Sequence, residues 1–343
     1  MRKACVLGAG SWGTAQALLL SDNIDRVVLW GREEDGIESI KEERENKRFL
    51  PGIKLPSNIE ISSDMAYALY DAELAIIAVP AQAVRGVVKS MAGYLEDKTY
   101  LVNTAKGIEI DTGMRMSQVV EDVLGGEIKS RFAVLSGPSH AEEVARKIPT
   151  VVTVASFKKE TAFYVQDAFM TTYFRVYTNP DVAGVELGGA LKNIIALAAG
   201  IVQGLNYGDN TKAALITRGL TEITRMGIAL GGDARTFSGL SGIGDLIVTC
   251  GSRYSRNLRA GELIARGYSL PEVLDKIGMV VEGVYTTRIV YKLAAKMGID
   301  MPITQACYNV LYEGKKPEEE LNRIMSRQKK HEIEEIVNNI EGW

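Results

Sequence analysis

The chain contains 343 residues, of which 46% are hydrophobic and 24% charged, a composition that excludes disordered and fibrous proteins. The net charge of −3, from 40 Lys and Arg against 43 Asp and Glu, argues against nucleic-acid binding through bulk positive charge. Three widely separated cysteines exclude a disulfide framework or a zinc ribbon, and they indicate a reducing compartment.

The amino terminus combines a short basic segment with a mostly apolar stretch, as secretory signals do. Several glycines and polar residues interrupt that stretch, and no small-residue cleavage site follows it. The sequence has no run of about 18 apolar residues, so we expect no membrane span. These features predict a cytoplasmic protein.

The first half of the chain alternates between two hydrophobic periods. Apolar runs of strand length occur at residues 4–7, 27–30, 74–79, 100–103, 132–135 and 151–155. Stretches with helical periodicity occur at residues 14–20, 37–46, 81–94, 114–124 and 158–169. This alternation predicts an α/β fold, in which helices cover both faces of a parallel sheet. The two prolines within residues 49–56 predict an ordered loop inside this pattern.

The sequence changes character after Asn179-Pro180. Long helical patterns replace the strands, beginning with residues 182–205, and glycine-rich segments predict the helix ends at 231–232, 242–244 and 251–252. We therefore predict a doubly wound sheet domain over residues 1–179 and a mostly α-helical domain over residues 180–343. The charged tail from Lys315 has an amphipathic period that is typical of a solvated surface helix.

The segment GAGSWG near the amino terminus matches the GxGxxG pattern of dinucleotide-binding sites. It follows a predicted strand and begins a predicted helix, which is the context that makes the pattern informative. Gly8 permits a tight turn, Gly10 lets the backbone approach a pyrophosphate, and Gly13 allows close packing of helix on strand. The pattern predicts a Rossmann-type domain that binds NADP(H) or NAD(H). The phosphates would be bound by the first amides of the helix, at Ser11 and Trp12.

Cofactor preference depends on the residues after the second predicted strand. An acidic side chain there hydrogen-bonds the adenosine ribose of NAD, whereas an arginine accommodates the 2′-phosphate of NADP. Arg32 at this position favours NADPH, while the adjacent Glu33 is unfavourable for a phosphate. We expect NADPH to be preferred and keep NADH as the alternative.

Catalytic side chains are expected beyond the carboxyl ends of the predicted strands, where open α/β sheets bind ligands. The segments NTAKG, which contains Lys106, and SGPSHA end two such strands. The chain has only two histidines, which excludes metal sites built on several histidines, so no metal is expected. His140 is interpreted as a loop residue rather than a base.

Lys192 lies within the apolar helical stretch GGALKNIIALAAG. One interpretation is a lysine that extends to solvent from a buried helix. The other is a partly desolvated amine whose lowered pKa suits a general acid/base. Asp245, in the segment GIGD, is the carboxylate that we expect to pair with it. The later segment Ser255-Arg256-Asn257 is either a surface turn or a phosphate clamp, because a guanidinium matches phosphate geometry.

These motifs, in this order, resemble the NAD(P)-dependent glycerol-3-phosphate dehydrogenases of the bacterial biosynthetic type. The similarity runs through the segments GAGSWGTA, NTAKGIE, LSGPSHAEEVA, GVELGGALKNIIALAAGI, GLSGIGDLIVTCGSRYSRN and VVEGVYT, and so covers nearly the whole chain. It implies reversible reduction of dihydroxyacetone phosphate to sn-glycerol 3-phosphate for phospholipid synthesis. A homodimer without a nucleic-acid partner is also expected for this class.

The resemblance gives roles to the residues that match the family's motifs. Lys192 would protonate the carbonyl oxygen in reduction and deprotonate the C2 hydroxyl in oxidation, Lys106 would stabilise the developing alkoxide, and Asp245 would orient the lysine or the substrate. The expected substrate contacts are Lys106, Gly137, Ser139, Lys192, Asp245, Ser255, Arg256 and Asn257. The expected cofactor contacts are Gly8, Gly10, Ser11, Trp12, Gly13, Arg32, Lys106, Ala141, Arg256, Val280 and Glu282.

Two positions depart from the family pattern. Glu33 stands where many relatives have a basic or neutral residue, and His140 stands where an aromatic residue is common. Two other functions fit the same two-domain arrangement: a dehydrogenase of hydroxy acids or ketopantoate, or a non-catalytic nucleotide sensor. The former substrates carry no phosphate for Arg256 to bind, and a sensor has no need for both Lys106 and Lys192.

Overall fold

An eight-stranded sheet forms the first half of the protein in the computed structural model, which describes residues 1–329 and 331–332. The strands are β1 (Lys3–Leu7), β2 (Arg26–Trp30), β3 (Ile59–Ser62), β4 (Leu74–Ile77), β5 (Tyr100–Asn103), β6 (Phe132–Ser136), β7 (Thr150–Ser156) and β8 (Phe174–Asn179). The six predicted strands are confirmed: β5 has the predicted bounds, and the other five differ from them by one or two residues. The strands β3 and β8 were not expected from the sequence.

The strand order β3-β2-β1-β4-β5-β6-β7-β8 places β1 at the centre of a doubly wound arrangement. The strands from β3 to β6 pair in parallel, but β6 and β7 pair antiparallel. The expectation of a fully parallel sheet was therefore wrong at this edge. The connection from β6 to β7 contains only a one-turn helix, whereas parallel crossovers usually carry a full helix.

Helices cover both faces of this sheet. They are α1 (Ser11–Leu20), α2 (Ile37–Glu43), α3 (Met65–Leu69), α4 (Val84–Met91), α5 (Met116–Leu124), α6 (Ala141–Val144) and α7 (Lys159–Phe169). Successive side chains of a strand point to opposite faces, so Val6 and Ile76 pack in one apolar cluster and Leu7 and Ile77 in the other. The helix predicted over residues 81–94 is divided: short 3₁₀ turns flank α4 on both sides.

The second half is helical, as predicted. Its helices are α8 (Val182–Gly204), α9 (Asp209–Ala229), α10 (Ala234–Phe237), α11 (Asp245–Gly251), α12 (Arg256–Ala265), α13 (Leu270–Ile277), α14 (Glu282–Met297), α15 (Pro302–Tyr312) and α16 (Pro317–Met325). The glycines at 242–244 do not break the chain into separate helices, because the π-helical turn Leu240–Gly244 continues directly into α11. Part of the predicted tail helix is α16, and Lys330 and residues 333–343 lie outside the described residues.

The helix α8 is the centre of the helical half. Its glycines allow unusually close packing: a Cβ at Gly200 would lie 1.9 Å from the carbonyl oxygen of Leu258 in α12, and a Cβ at Gly261 would lie 2.1 Å from that of Leu197. By length and composition α8 could span a membrane, but 94% of its apolar window is buried inside the protein. Its apolar surface is therefore covered by the other helices of the fold.

Candidate active site

The dinucleotide loop lies between β1 and α1, at the carboxyl edge of the sheet. Gly8 has a φ of +123°, and a Cβ there would lie 2.7 Å from the carbonyl oxygen of Ala78. A Cβ at Gly13 would lie 1.8 Å from the carbonyl oxygen of Gly8, so these two positions require glycine. Gly10 has no neighbouring atom within 4 Å of its Cβ position, which leaves open space beside the loop. This geometry fits the tight turn predicted at Gly8 and the close packing predicted at Gly13.

The residues around the loop fit a bound dinucleotide. The helix α1 begins at Ser11, and its N-cap Gly10 offers no side-chain hydrogen bond to the first amides. Those amides can therefore bind phosphate, aided by the helix dipole. Trp12 Nε1, Gln16 Oε1 and Glu282 Oε2 are buried polar atoms with no hydrogen-bond partner among the described residues. Buried polar atoms without partners are rare in proteins, and a bound cofactor with polar groups could supply partners here.

Arg32 follows β2 and contacts two acidic residues that come soon after it in the chain. Its guanidinium forms a two-pronged hydrogen bond with the carboxylate of Asp35 and an ion pair with Glu34. Arg32 and Glu33 are both exposed to solvent. The residues that contact Arg32 are thus Glu34 and Asp35, and not the adjacent Glu33 that the sequence pattern brought into question.

A buried cluster of two lysines and one aspartate lies beside the ends of β5 and β6. Lys192 Nζ lies 2.9 Å from Asp245 Oδ1, and Lys106 Nζ lies 2.7 Å from Asp245 Oδ2. Asp245 is 1% exposed and Lys192 is 6% exposed. Lys192 therefore does not extend to solvent, and the pairing of Lys192 with Asp245 that the sequence suggested is present. The carboxylate joins α8 and α11 to the loop after β5.

The environment of this cluster changes its protonation behaviour. Burial lowers the pKa of Lys192 to about 8, and the charge of Lys106 acts in the same direction while Asp245 opposes it. Burial alone would raise the pKa of Asp245, but the two lysines together lower it, so this carboxyl is ionised. Lys192 is thus an amine that can give or take a proton near neutral pH.

Two residues of the cluster were missed by the sequence analysis. Thr249 Oγ1 accepts a hydrogen bond of 2.6 Å from Lys192 Nζ, and it lies one helical turn after Asp245 on α11. Asn193 is 4% exposed, and its Nδ2 donates to the carbonyl oxygen of Lys106. The spacing of four residues between Asp245 and Thr249 is the one signal in the sequence that could have indicated the first of these.

The loop after β6 approaches the same cluster. The carbonyl oxygen of Gly137 accepts hydrogen bonds from Lys106 Nζ at 2.8 Å and from Ser139 Oγ at 2.9 Å. Ala141 begins α6 and is buried. Burial, together with the charge of Lys192, lowers the pKa of His140 to about 4, so its imidazole is neutral. A neutral side chain held in this loop is consistent with the interpretation of His140 as a loop residue.

In the segment Ser255-Arg256-Asn257, the first and third side chains bond to the protein itself, and the second is available to a ligand. Ser255 Oγ accepts from the amide of Leu258 as the N-cap of α12. Asn257 donates to Asn193 Oδ1 at 2.8 Å and accepts from the amide of Gly283 at 2.8 Å. The guanidinium of Arg256 has no hydrogen bond or ion pair with any residue that the structure describes.

The start of α14 closes the other side of this region. Glu282 Oε1 accepts a hydrogen bond of 2.9 Å from the amide of Ala81, and burial raises the pKa of its carboxyl although Ala81 and Arg256 oppose that shift. Val280 is half-buried in the preceding loop. The predicted residues from β5, β6, α8, α11, α12 and α14 are thus joined by one network of contacts. Within residues 1–329 and 331–332 no group of His, Cys, Asp and Glu side chains could hold a metal ion.

Comparison with known proteins assigns this architecture to a family. The model of the NAD-dependent glycerol-3-phosphate dehydrogenase N-terminus matches residues 3–162, and that of its C-terminus matches residues 181–322. Over the whole length of both chains, the sequence is 65% identical to glycerol-3-phosphate dehydrogenase [NAD(P)+] of Syntrophomonas wolfei. It is 52% identical to the enzyme of that name in Bacillus subtilis, over 100% of this chain and 99% of the relative.

A solved structure agrees with this assignment. The crystal structure of glycerol-3-phosphate dehydrogenase from Coxiella burnetii superimposes with a TM-score of 0.90 at 38% identity, covering 95% of this chain and 99% of the other. A ketopantoate reductase from Ralstonia eutropha has a TM-score of 0.59 at 15% identity, which is a similarity of fold alone. The chain belongs to the NAD-dependent glycerol-3-phosphate dehydrogenase family.

Proposed function

We propose that the protein catalyses the reversible reduction of dihydroxyacetone phosphate to sn-glycerol 3-phosphate with NADPH or NADH. The observation that carries this proposal is the pair formed by the buried Lys192 and the partly buried Lys106 on the single carboxylate of Asp245. The pair combines a proton donor with a second fixed positive charge. Reduction of a carbonyl by a hydride needs both, because the oxygen gains negative charge and then a proton.

In the proposed mechanism, the nicotinamide, when bound, supplies the hydride that adds to C2 of the substrate. Lys192 transfers a proton from Nζ to the carbonyl oxygen, and it regains a proton from solvent before the next turnover. Lys106 stabilises the negative charge on that oxygen. Asp245 holds both amines in place and remains ionised. In the reverse direction the neutral Lys192 removes the proton of the C2 hydroxyl.

The guanidinium of Arg256 supports a phosphorylated substrate, because it has no hydrogen bond or ion pair within the described part of the chain. The pKa of Arg256 is lowered by burial, so the charge is held in a site that favours an anion as partner. It is adjacent to Asn257, which bonds Asn193 beside Lys192. Ketopantoate and simple hydroxy acids carry no phosphate for this group. A nucleotide sensor would have no use for the lysine pair, so this arrangement favours the dehydrogenase over both alternatives.

We assign Gly137 and Ser139 to the substrate side of the site, with Ser255 and Asn257 beside Arg256. Ser11, Trp12, Ala141, Val280 and Glu282 are assigned to the cofactor side, as the resemblance implied. The division into domains at residues 179 and 180, a homodimeric assembly, a cytoplasmic location and a role in phospholipid synthesis complete the proposal.

An assay of the purified protein with dihydroxyacetone phosphate tests this function. We expect rapid loss of reduced-nicotinamide absorbance, and we expect Lys192→Ala to lower kcat by about 100- to 10,000-fold, the usual contribution of a general acid. The variant should still bind the reduced coenzyme nearly as well as the wild type. Lys296→Ala is the control, because Lys296 is an exposed lysine of α14. Normal turnover by Lys192→Ala would refute the assigned role.

A further inference from the structure

An acidic turn follows β2, at the place where Rossmann-type folds contact the adenosine ribose of the cofactor. The strand β2 ends at Trp30, and after Arg32 the 3₁₀ turn Glu33–Asp35 places three carboxylates in succession. In a Rossmann-type fold, the side chains just beyond this strand distinguish a ribose 2′-hydroxyl from a 2′-phosphate. The charge of this turn therefore bears on which coenzyme the protein uses.

The guanidinium of Arg32 is already engaged by that turn. Its Nε lies 2.8 Å from Asp35 Oδ2 and its Nη2 lies 3.0 Å from Asp35 Oδ1, a two-pronged contact. Its Nη1 lies 2.5 Å from Glu34 Oε1. Two nitrogens of the group that could bind a 2′-phosphate thus donate hydrogen bonds to Asp35, and the third is in an ion pair with Glu34.

The local charge around Arg32 is negative. One guanidinium faces two carboxylates directly, and Glu33 adds a third acidic side chain at the adjacent position. The next basic residue along the chain, Lys41, lies 3.7 Å from the carboxylate of Glu38. A 2′-phosphate, with a charge near −2, would have to displace Asp35 from Arg32 and remain beside the displaced carboxylates. A ribose hydroxyl meets no such repulsion and can donate a hydrogen bond to a carboxylate.

We propose that Glu34 and Asp35 determine coenzyme specificity by occupying Arg32, so that the enzyme uses NADH at least as efficiently as NADPH. This inference rests on the proposed function insofar as it places a nicotinamide dinucleotide on the loop after β1. It reverses the preference for NADPH that Arg32 alone suggested. The two acidic residues act on the bound adenosine end, far along the cofactor from the reacting nicotinamide.

The first test compares kcat/KM for NADH and NADPH in the wild-type enzyme with dihydroxyacetone phosphate as substrate. We expect a ratio of NADH to NADPH of one or more. A preference for NADPH would overturn the proposal, since Arg32 would then bind the 2′-phosphate in spite of its neighbours.

The second test releases Arg32 from its partners. In the double variant Glu34→Gln and Asp35→Asn, we expect the ratio of kcat/KM for NADPH to that for NADH to rise by about tenfold, because two repulsive charges are removed and the guanidinium is freed. Glu38→Gln removes one charge from α2 nearby without touching Arg32, and it should leave the ratio unchanged. An unchanged ratio in the double variant, or an equal rise in Glu38→Gln, would refute the assignment.

Direct binding separates this inference from the proposed reaction. Quenching of tryptophan fluorescence by NADH and by NADPH, without any substrate, gives the two dissociation constants for the wild type and the double variant. If the binding ratio shifts as expected while dihydroxyacetone phosphate is not reduced, the specificity assignment holds and the proposed reaction fails. If the reaction proceeds but the binding ratio does not shift, the specificity assignment fails alone.

Discussion

At the scale of residues, the fold buries the amine of Lys192 beside the carboxylate of Asp245, which Lys192 shares with Lys106. The Lys192 pKa of about 8 places the change of protonation state inside the range of ordinary assays. In the proposed mechanism the protonated amine is the acid in reduction, so the reduction rate should fall as the pH rises through about 8. The neutral amine is the base in oxidation, so the oxidation rate should rise through the same range. Profiles of kcat/KM against pH in both directions measure this, because kcat/KM reports the pKa values of the free enzyme.

Opposite slopes in the two directions are the distinguishing feature of a single acid/base group. Lys192→Arg keeps a positive charge next to Asp245 but titrates far above the assay range, so it should be inactive at every pH tested. A reduction rate that stays constant to about pH 10 would show that another group supplies the proton.

Arg256 differs from the other charged residues of the site because it has no partner among residues 1–329 and 331–332. We expect Arg256→Ala to raise KM for dihydroxyacetone phosphate by about 10- to 100-fold, the usual cost of losing a hydrogen bond to a charged group. The change in kcat should be smaller. Arg259→Ala is the matched control, because Arg259 is exposed on the same helix. Unchanged KM in Arg256→Ala would place the phosphate elsewhere.

At the scale of elements, the dinucleotide loop is supported by Asn46, the last residue of the stretch 37–46 with helical periodicity. The helix α2 ends earlier than expected, at Glu43, and Asn46 is 1% exposed in the segment that follows. Its Nδ2 donates to the carbonyl oxygen of Ala9 and to Thr14 Oγ1, both at 2.8 Å, and its Oδ1 accepts from the amide of Phe49. The Asn46 side chain thus connects the glycine loop, at Ala9, and the helix after it, at Thr14, to the backbone turn at Phe49.

We therefore expect Asn46→Ala to raise KM for the coenzyme by about tenfold with little change in kcat at saturation, because the loop loses its preorganised shape. Asn23→Ala provides the control: Asn23 donates two hydrogen bonds to the backbone at Ala168 and Met170, away from the loop. Both variants should lower the melting temperature, and only Asn46→Ala should change KM. Equal KM values for the coenzyme in the two variants would show that Asn46 contributes to stability and not to coenzyme binding.

The elements that the sequence predicted are those with the strongest hydrophobic signal. The central strands are buried on both faces and appear as continuous apolar runs. The strands β3 and β8 lie at the edges, and their burial alternates along the chain, as the segment from Phe174 to Asn179 shows. A search for apolar runs does not detect such strands. The reversal of β7 depends on the connection after β6, and strand direction leaves no mark in periodicity.

The sequence predicted those residues of the candidate site that are chemically unusual in their local context and also belong to a recognisable motif. The glycines of the loop, Lys106, Lys192 and Asp245 stand out because each is costly or unusual in its local context. The contact of Thr249 with Lys192 could not be predicted in the same way, since it depends on how α8 and α11 pack. The hydrogen bonds between Arg32 and Asp35 could not be predicted either, because they depend on the conformation of the three-residue turn Glu33–Asp35.

At the scale of the whole molecule, α8 connects the two halves and sets the position of the site. Its first turn is anchored in the sheet half through Glu186, its middle carries Lys192, and its last turns pack against α12 at Gly200. A Cβ at Gly189 would lie 2.6 Å from Ser136 Oγ at the end of β6, which shows how closely the helix approaches the sheet. The distance between Lys106 and Lys192 therefore depends on how α8 packs against the sheet.

Glu186 is the residue of α8 that bonds most directly to the sheet half. Its Oε1 accepts from the amide of Ser117 at 2.6 Å, and its Oε2 accepts from Ser117 Oγ at 2.6 Å and from Arg115 at 2.8 Å. Burial raises the pKa of this carboxyl, although Arg115 and Ser117 oppose the shift. Removing the carboxylate would leave a buried amide and a partly buried guanidinium without their partner. We expect Glu186→Ala to lower the free energy of unfolding by about 3–5 kcal/mol.

A second buried carboxylate separates the effect on stability from the effect on the site. Glu222 is 3% exposed and accepts from the amides of Ile303 and Thr304, wholly within the helical half. Urea denaturation should show that Glu222→Ala is also destabilised, because it too loses buried hydrogen bonds. Steady-state assays well below both midpoints should then differ: kcat falls in Glu186→Ala, where α8 is released from the sheet, and is retained in Glu222→Ala. Equal kcat values in the two variants would show that α8 keeps its position without Glu186.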